Sequence, residues 1–351
     1  MKFLRLAFYV LIAQLVLSGC AGEAVEETSS SSSSEINFDA YLGRNASTRS
    51  EVTDNTHLKG TESNSGFGVF ARYNYNGKIL SLLDTEHVTW NKDQNHWEYT
   101  NTRFWPSEGT VDFYAFAPYS DQPKLNNFEI DFPSNMSPID LVYANAENQK
   151  KTDNPVKFTF KHALARLSFD ITANPKLEKN GAVIKVKEVK LYGADETSGI
   201  FLMGGHLNLK TGGWRAYDNN ASWFYTWTPT GKVDGNKDKN SIIYKLSAPP
   251  QLDHEHDKVT NADDSYIFII PQEKPANFNL KITYTVEQGK FKEDVTVYKD
   301  LLKVLPGNSD PYFEGGKAYV FHLKLSLDPI DFSITNEVVK WGPVDDKTMP
   351  L

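Results

Sequence analysis

The 351-residue sequence has one cysteine, so no intramolecular disulfide is available and any fold must hold by packing. It also lacks an excess of positive charge: 37 Lys+Arg stand against 45 Asp+Glu, giving a net charge of −8 and a pI near 5.6. A chain of that sign has no bulk attraction for nucleic acid or anionic lipid, and no nucleic-acid partner is expected. No apolar run approaches the roughly 20 residues of a spanning helix. Helical periodicity beyond two turns is missing, as is detectable internal repetition. H-E-x-x-H, G-x-S-x-G and the P-loop are absent. The 45 carboxylates could supply a glycosidase pair anywhere, so none is assigned a role. Catalytic residues, metal ligands and cofactors are therefore expected to be none.

Aromatic residues are abundant instead: 7 Trp, 17 Tyr and 21 Phe make 13% of the chain. Aromatic side chains fit pleated, half-buried surfaces, which points to an all-β fold. Period-two alternation recurs. Ile36, Phe38, Ala40 and Leu42 alternate with Asn37, Asp39 and Tyr41. Gly68–Tyr75, Val111–Ala117 and Val183–Tyr192 read as strands, and Ala163, Ala165, Leu167, Phe169 and Ile171 alternate with polar neighbours. Asn174-Pro175 and Asn180-Gly181 are turn signals. Further strands are expected at 198–209, 241–247, 265–270, 277–286, 293–298 and 317–327. The stretch from Arg44 to Ser65 reads as loop, and 235–240 and 251–264 as polar connections. Many short strands at this spacing predict two antiparallel sandwiches, divided near residue 176.

The N-terminus carries an export signal. Lys2 and Arg5 precede an uncharged, mostly apolar run, Leu6–Leu17, which ends in Leu17-Ser18-Gly19-Cys20. This resembles the bacterial lipobox, with Cys20 as the lipidation site; an ordinary signal peptide with a chance cysteine is the other reading. Removal of residues 1–19 leaves 35 basic against 45 acidic residues, a net charge of −10. Residues 20–35, with Ser29–Ser34, read as a tether from an outer-membrane lipid anchor. By resemblance, Ala21 after the cysteine argues against inner-membrane retention, and the nearby Glu23, Glu26 and Glu27 accompany surface display.

Three motifs have plainer readings. Gly66-Phe67-Gly68-Val69-Phe70-Ala71 matches a dinucleotide fingerprint, but a β-type run follows where that fingerprint needs a helix. His254-Glu255-His256 lacks a third ligand and reads as a solvated loop. Trp90, Trp97, Trp105, Trp214, Trp223 and Trp227 would bind glycans if their indoles were exposed, and otherwise fill cores.

Near the C-terminus Ile330, Phe332 and Ile334 alternate with polar residues, and the apolar phase then shifts to Val339 and Trp341. Such a shift predicts a bulge or a second short strand. On the sequence alone this segment is equally a normal final strand.

The stretches WPSEGTVDFYAFAPY (105–119), DLVYANA (140–146), FTFKHALARLSFDIT (158–172), GGKAYVFHLKLSL (315–327) and VVKW (338–341), together with the lipobox, resemble the fimbrillins. These lipoproteins build the type V pili of Gram-negative anaerobes. The resemblance spans nearly all of 15–345 and implies two tandem transthyretin-like β-sandwich domains, 36–176 and 177–351. It further implies a non-enzymatic pilus subunit polymerising by donor-strand exchange. A trypsin-like maturation protease would cut after Arg49, or alternatively Arg44, and release residues up to that point. The removable strand would be Ile36, Phe38, Ala40 and Leu42. The donor tail, 330–351, would insert Ile330, Phe332, Ile334, Val339 and Trp341 into another fimbrillin subunit, in a homopolymer or mixed pilus. The product would move from the outer-membrane surface into an extracellular fimbrium. The alternative is a surface glycan-binding lipoprotein or a tip adhesin outside the stalk.

Seven strand residues span about 23 Å at roughly 3.3 Å each. Refilling three to five apolar sites at about 1.5–3 kcal/mol apiece contributes roughly 5–15 kcal/mol before ordering costs. A head-to-tail contact of that kind does not close on itself, so it yields a filament.

Overall fold

The computed structural model describes residues 34–42, 55–132, 140–173, 182–217, 222–228, 241–245, 251–252, 258–260, 267–303, 312–325 and 333–340. The first part of the chain supplies β1 (Phe38–Leu42), a one-turn helix α1 (Asn55–Leu58), β2 (Phe67–Tyr75), β3 (Lys78–Asn91), β4 (His96–Glu98), β5 (Thr110–Ala117), β6 (Glu129–Phe132), β7 (Val142–Gln149) and β8 (Val156–His162). The middle supplies β9 (Ala165–Ala173), β10 (Ala182–Tyr192), β11 (Phe201–Leu202), β12 (Gly205–Asn208), β13 (Trp214–Ala216), β14 (Ser222–Thr228), β15 (Ser241–Lys245), β16 (Gln251–Leu252) and β17 (Lys258–Thr260). The last part supplies β18 (Ile267–Ile269), β19 (Gln272–Glu273), β20 (Asn279–Gln288), β21 (Phe291–Asp300), β22 (Tyr312–Phe313), β23 (Lys317–Leu325) and β24 (Ser333–Lys340). The fold is all-β, as its aromatic and β-branched composition predicts.

The first sheet runs in the order β1-β8-β7-β5-β2-β3-β4. Asn76 and Gly77, at φ 50° and 74°, form the tight β2–β3 turn whose twist suits a hairpin. Its inward residues form one core, with Phe67, Phe113, Phe158 and Phe160 all almost fully buried. A second core is built from β9, β10, β20 and β23, around Phe169, Val189, Ile282 and Phe321. Between them lies a mixed cluster, including Phe70, Tyr114, Phe132, Leu207 and Phe268. The three-stranded sheet β13-β12-β6 joins residues from both halves of the sequence. The chain passes from the first sheet to strands of the second core between His162 and Ala165.

Several expectations change here. Among the described residues three neighbouring pairs are parallel, β1–β8, β9–β23 and β14–β15, where antiparallel pairing alone was expected. Parallel neighbours need a crossover, and β1–β8 obtains one from everything in between. The loop read over 44–65 contains α1, whose Leu58 is buried in the first core. The alternation read continuously across 163–171 breaks at Ala163-Leu164, where β8 ends and β9 begins in another sheet. The strand expected at 198–209 is two short ones, β11 and β12, and the connection 251–264 contains β16 and β17. β3 was not among the runs read from sequence; register irregularities opposite β2 and Thr85 at φ 55° interrupt its period. Gly66-to-Ala71 leads into β2 and not a helix, so no dinucleotide site forms there. The phase shift after Asn336 brings no bulge: β24 pairs with β23 in one register from Ser333↔Lys324 to Lys340↔Lys317. Asn174-Pro175, Asn180-Gly181, 235–240 and His254-Glu255-His256 lie outside the described residues.

Candidate functional site: the cradle of the first strand

β1 is an edge strand that lays alternate side chains into the first core. Ile36, just before it, and Leu42, at its end, are fully buried, while Phe38 and Ala40 keep 4% and 7% exposure. Tyr41, pointing the other way, is 44% exposed. The Phe38 ring sits among Tyr99, Phe113 and Phe158 at 5.3, 5.7 and 5.8 Å between centroids. Trp97 and Trp105 complete the apolar floor, each with its indole N–H buried and without a hydrogen-bond acceptor.

β1 pairs along one edge, and the residues just before it and its last residue are held on the other. On one side it pairs in parallel with β8, Phe38↔Val156 through Leu42↔Phe160, and Val156 N–H donates to Asn37 C=O at 2.7 Å. On the other side Ile36 N–H donates to Arg103 C=O at 2.8 Å, and Trp105 N–H donates to Ser34 C=O at 3.0 Å. The Tyr99 hydroxyl donates to Ile36 C=O at 2.8 Å, and burial pushes that phenol's pKa up, which keeps the donor protonated. At the far end one side chain does the work of a strand. The Asn55 carboxamide accepts from Leu42 N–H at 3.0 Å and donates to Leu42 C=O at 2.6 Å. Asn55 opens α1, on the other side of residues 43–54 from β1.

Of the residues singled out by sequence, Ile36, Phe38, Ala40 and Leu42 are brought together in this cradle. Cys20, Arg44 and Arg49 lie outside the described residues, as do Ile330, Phe332 and Trp341. Ile334 and Val339 fall in β24, which is the edge strand next to β23 in the order β17-β9-β23-β24. The cradle's posts, Asn55, Tyr99 and the main chain at 103–105, carried no sequence signal. Each is fixed by contacts across many residues of chain.

Two other places bear on binding. A cavity of about 550 Å³ is lined in part by Tyr143, His162, Trp214, Gln272, Phe313 and Glu314. Three of its polar side chains are engaged: Trp214 donates to Ala163 C=O at 2.8 Å, His162 Nδ1 meets Asp140 at 2.9 Å, and Gln272 holds Leu202 N–H and Ile200 C=O. Four of the six candidate stacking indoles are not open platforms either. Trp97 and Trp105 are buried, Trp214 is half-buried, and half-buried Trp90 lies beneath the Lys59 ammonium at 3.7 Å. Among the described residues no cluster of His, Cys, Asp or Glu is arranged to hold a metal, and no helix is long and apolar enough to cross a membrane.

A family model described as fimbrillin-like matches residues 48–341. The chain belongs to the fimbrillin-like family. This membership makes it a structural protein, a pilus subunit or adhesin, and not an enzyme. Among solved structures, a fimbrial protein from Bacteroides vulgatus is similar at 21% identity and a TM-score of 0.63, over 88% of this chain and 99% of that one. A fimbrilin from Porphyromonas gingivalis is 10% identical, with a TM-score of 0.42 over 90% and 99% of the two chains. A tip fimbrial protein from the same species, C-terminally truncated, is 11% identical, with a TM-score of 0.37 over 78% and 93%. No curated protein matches the chain.

Proposed function

We propose that this fimbrillin-like chain is a pilus subunit made as a lipoprotein precursor, lipidated at Cys20, cut after Arg49 or Arg44, and polymerised by exchange of its first strand. In this reading residues 1–19 are the signal, 20–35 the tether, and 36–176 and 177–351 two transthyretin-like sandwiches. The observation that carries the reading is the placement of β1. It is an edge strand with three side chains in the core and Ile36, just before it, as a fourth, joined covalently to the rest of the fold through residues 43–54, which contain both arginines. Loss of 34–42 would open an apolar trough beside the unpaired edge of β8, and such an edge recruits a strand. The partners are other pilus subunits and a trypsin-like protease, with an outer-membrane anchor before cleavage.

Limited trypsin digestion tests it. The expected result is one early cut within 43–54, located by N-terminal sequencing, followed by SDS-resistant oligomers when other pilus subunits are present. A product that is cut there and stays monomeric at high concentration in such a mixture removes the stalk role.

One observation favours a second reading, a tip subunit that accepts a strand without donating one. β24 is already paired with its own β23 along its whole length, so donation through Ile334 and Val339 requires that pairing to open. Cleaved protein that takes up an added strand but never elongates would support the tip role.

A further inference from the structure

We infer that the position of Ala40 selects which strand can replace β1, and that the occupant is a strand of a different pilus subunit, carrying alanine or glycine there, and not the tail of another copy of this chain. The inference rests on the strand-exchange reading and specifies its partner.

The polar posts of the cradle cannot select. β8, Arg103 C=O, Trp105 N–H, the Tyr99 hydroxyl and the Asn55 carboxamide all bind main-chain groups, which every strand offers alike. Discrimination falls to the four inward side chains, whose sizes run large, large, small, large. The small one sits in the middle of the pairing with β8: Phe38 stands beside Val156, Ala40 beside Phe158, and Leu42, at the strand's end, beside Phe160. The Phe158 ring is 1% exposed and is hemmed in by Phe38 at 5.8 Å, Phe67 at 5.8 Å and Phe160 at 6.1 Å. Three rings pack around it, so a branched side chain at position 40 would press on a ring already held on several sides, and overpacking of this kind is destabilising.

The chain's own tail fails that requirement in every aromatic-anchored placement. With Phe332 in the place of Phe38, Ile334 falls on the Ala40 site if the tail runs in the direction of β1, and Ile330 if it runs the other way. With Trp341 in that place, the residue at the Ala40 site is Pro343 or Val339. The tail shares Ile-x-Phe with β1, at Ile330 and Phe332, but nowhere follows the phenylalanine with a small residue two positions on. A cradle that disfavours its own kind orders subunits in a mixed filament, because specificity arises as much from a clash with the wrong partner as from contacts with the right one.

The test uses the full chain with an unrelated protease site placed within 43–54, so that opening the cradle does not depend on either arginine. After cutting, labelled nine-residue peptides are exchanged in and their affinities compared by anisotropy. The native 34–42 peptide should bind, and Tyr41→Ala should change little. Ala40→Ile should weaken binding at least tenfold, about 1.4 kcal/mol. A peptide of residues 328–336 should bind weakly and gain at least tenfold from Ile334→Ala or Ile330→Ala, according to its direction. Equal affinity of the native and Ala40→Ile peptides, or no gain from either tail substitution, overturns the size rule. Should even the native peptide fail to enter, strand exchange itself is lost, and the size rule is judged in the intact chain. There Ala40→Ile should lower Tm by about 2 °C or more while Tyr41→Ala leaves it nearly unchanged; an unchanged Tm for Ala40→Ile overturns the rule.

Discussion

Phe38 and Asn55 hold the first strand by different physics, and substitutions separate them. Phe38→Ala removes a ring packed against three others, so the intact chain should lose about 3–5 kcal/mol of stability in denaturant unfolding. Asn55→Ala removes two hydrogen bonds from a part-buried strand end and should cost about 1–2 kcal/mol. The clearer reading of Asn55→Ala is hydrogen exchange, with the Leu42 amide losing protection while Ile36 keeps its own. If Leu42 stays as protected as in the parent, the carboxamide is not what holds that end. Sequence made half of this legible. The alternation of Ile36, Phe38, Ala40 and Leu42 reports burial directly, because a strand has period two. Asn55 could not be read, since an asparagine before a short helix looks like any cap and its reach of 13 residues back is a tertiary fact.

Edges govern the behaviour of the strands. β1 and β24 both end their sheets, and each has one neighbouring strand along its length among the described residues. Truncation before Ile330 should remove β24 from β23, lower Tm, and abolish donation while leaving uptake of an added strand intact. Truncation after Lys340 keeps β24 and should leave Tm near that of the parent; comparing elongation of the two truncates in mixtures with other pilus subunits, by electron microscopy, assigns the donating residues. Long fibres from the shorter chain would end the donor assignment for 330–351. Strands with clean alternation, such as β1 and β9, were visible in sequence, although the handover from β8 to β9 at Ala163-Leu164 was not, because Ala163, which lies outside β9, shares the odd phase of Ala165, Leu167, Phe169 and Ile171. β3 was missed for the converse reason: its partner's irregular register lets polar residues fall where a regular strand would show apolar ones.

The molecule as a whole carries a band of ion pairs on the outer face of β10, β20 and β21. Lys185 meets Glu287, Lys187 pairs with Asp294, and Lys281 bridges Glu188 and Glu196. Hydrogen bonds from Lys281 hold the Glu196 carboxyl below its ordinary pKa, and those from Lys185 and Lys187 do the same for Glu287 and Asp294. On the adjoining loop, Thr197 holds the Asp195 carboxyl down to about 2. A carboxylate whose pKa is lowered by folding stabilises the native state above its unfolded value and loses that contribution as pH falls through the folded value. Stability should therefore be flat from pH 7 to about 5 and decline from about pH 4.5 towards 2. Glu196→Gln combined with Asp294→Asn should flatten the decline in Tm measured across that range. A parent chain equally stable at pH 3 and pH 6 would show these pairs to be idle, as exposed pairs often are.

The twelve residues between Leu42 and Asn55 have one more consequence. While they are continuous, β1 is confined near its seat at an effective concentration of the order of millimolar, far above that of any competing strand in solution. The native strand then wins however well a rival fits. Once they are severed, that advantage vanishes by dilution alone, and the contest is decided by side-chain fit. On the strand-exchange reading, one peptide bond in that connection would turn a self-satisfied subunit into one that needs a neighbour.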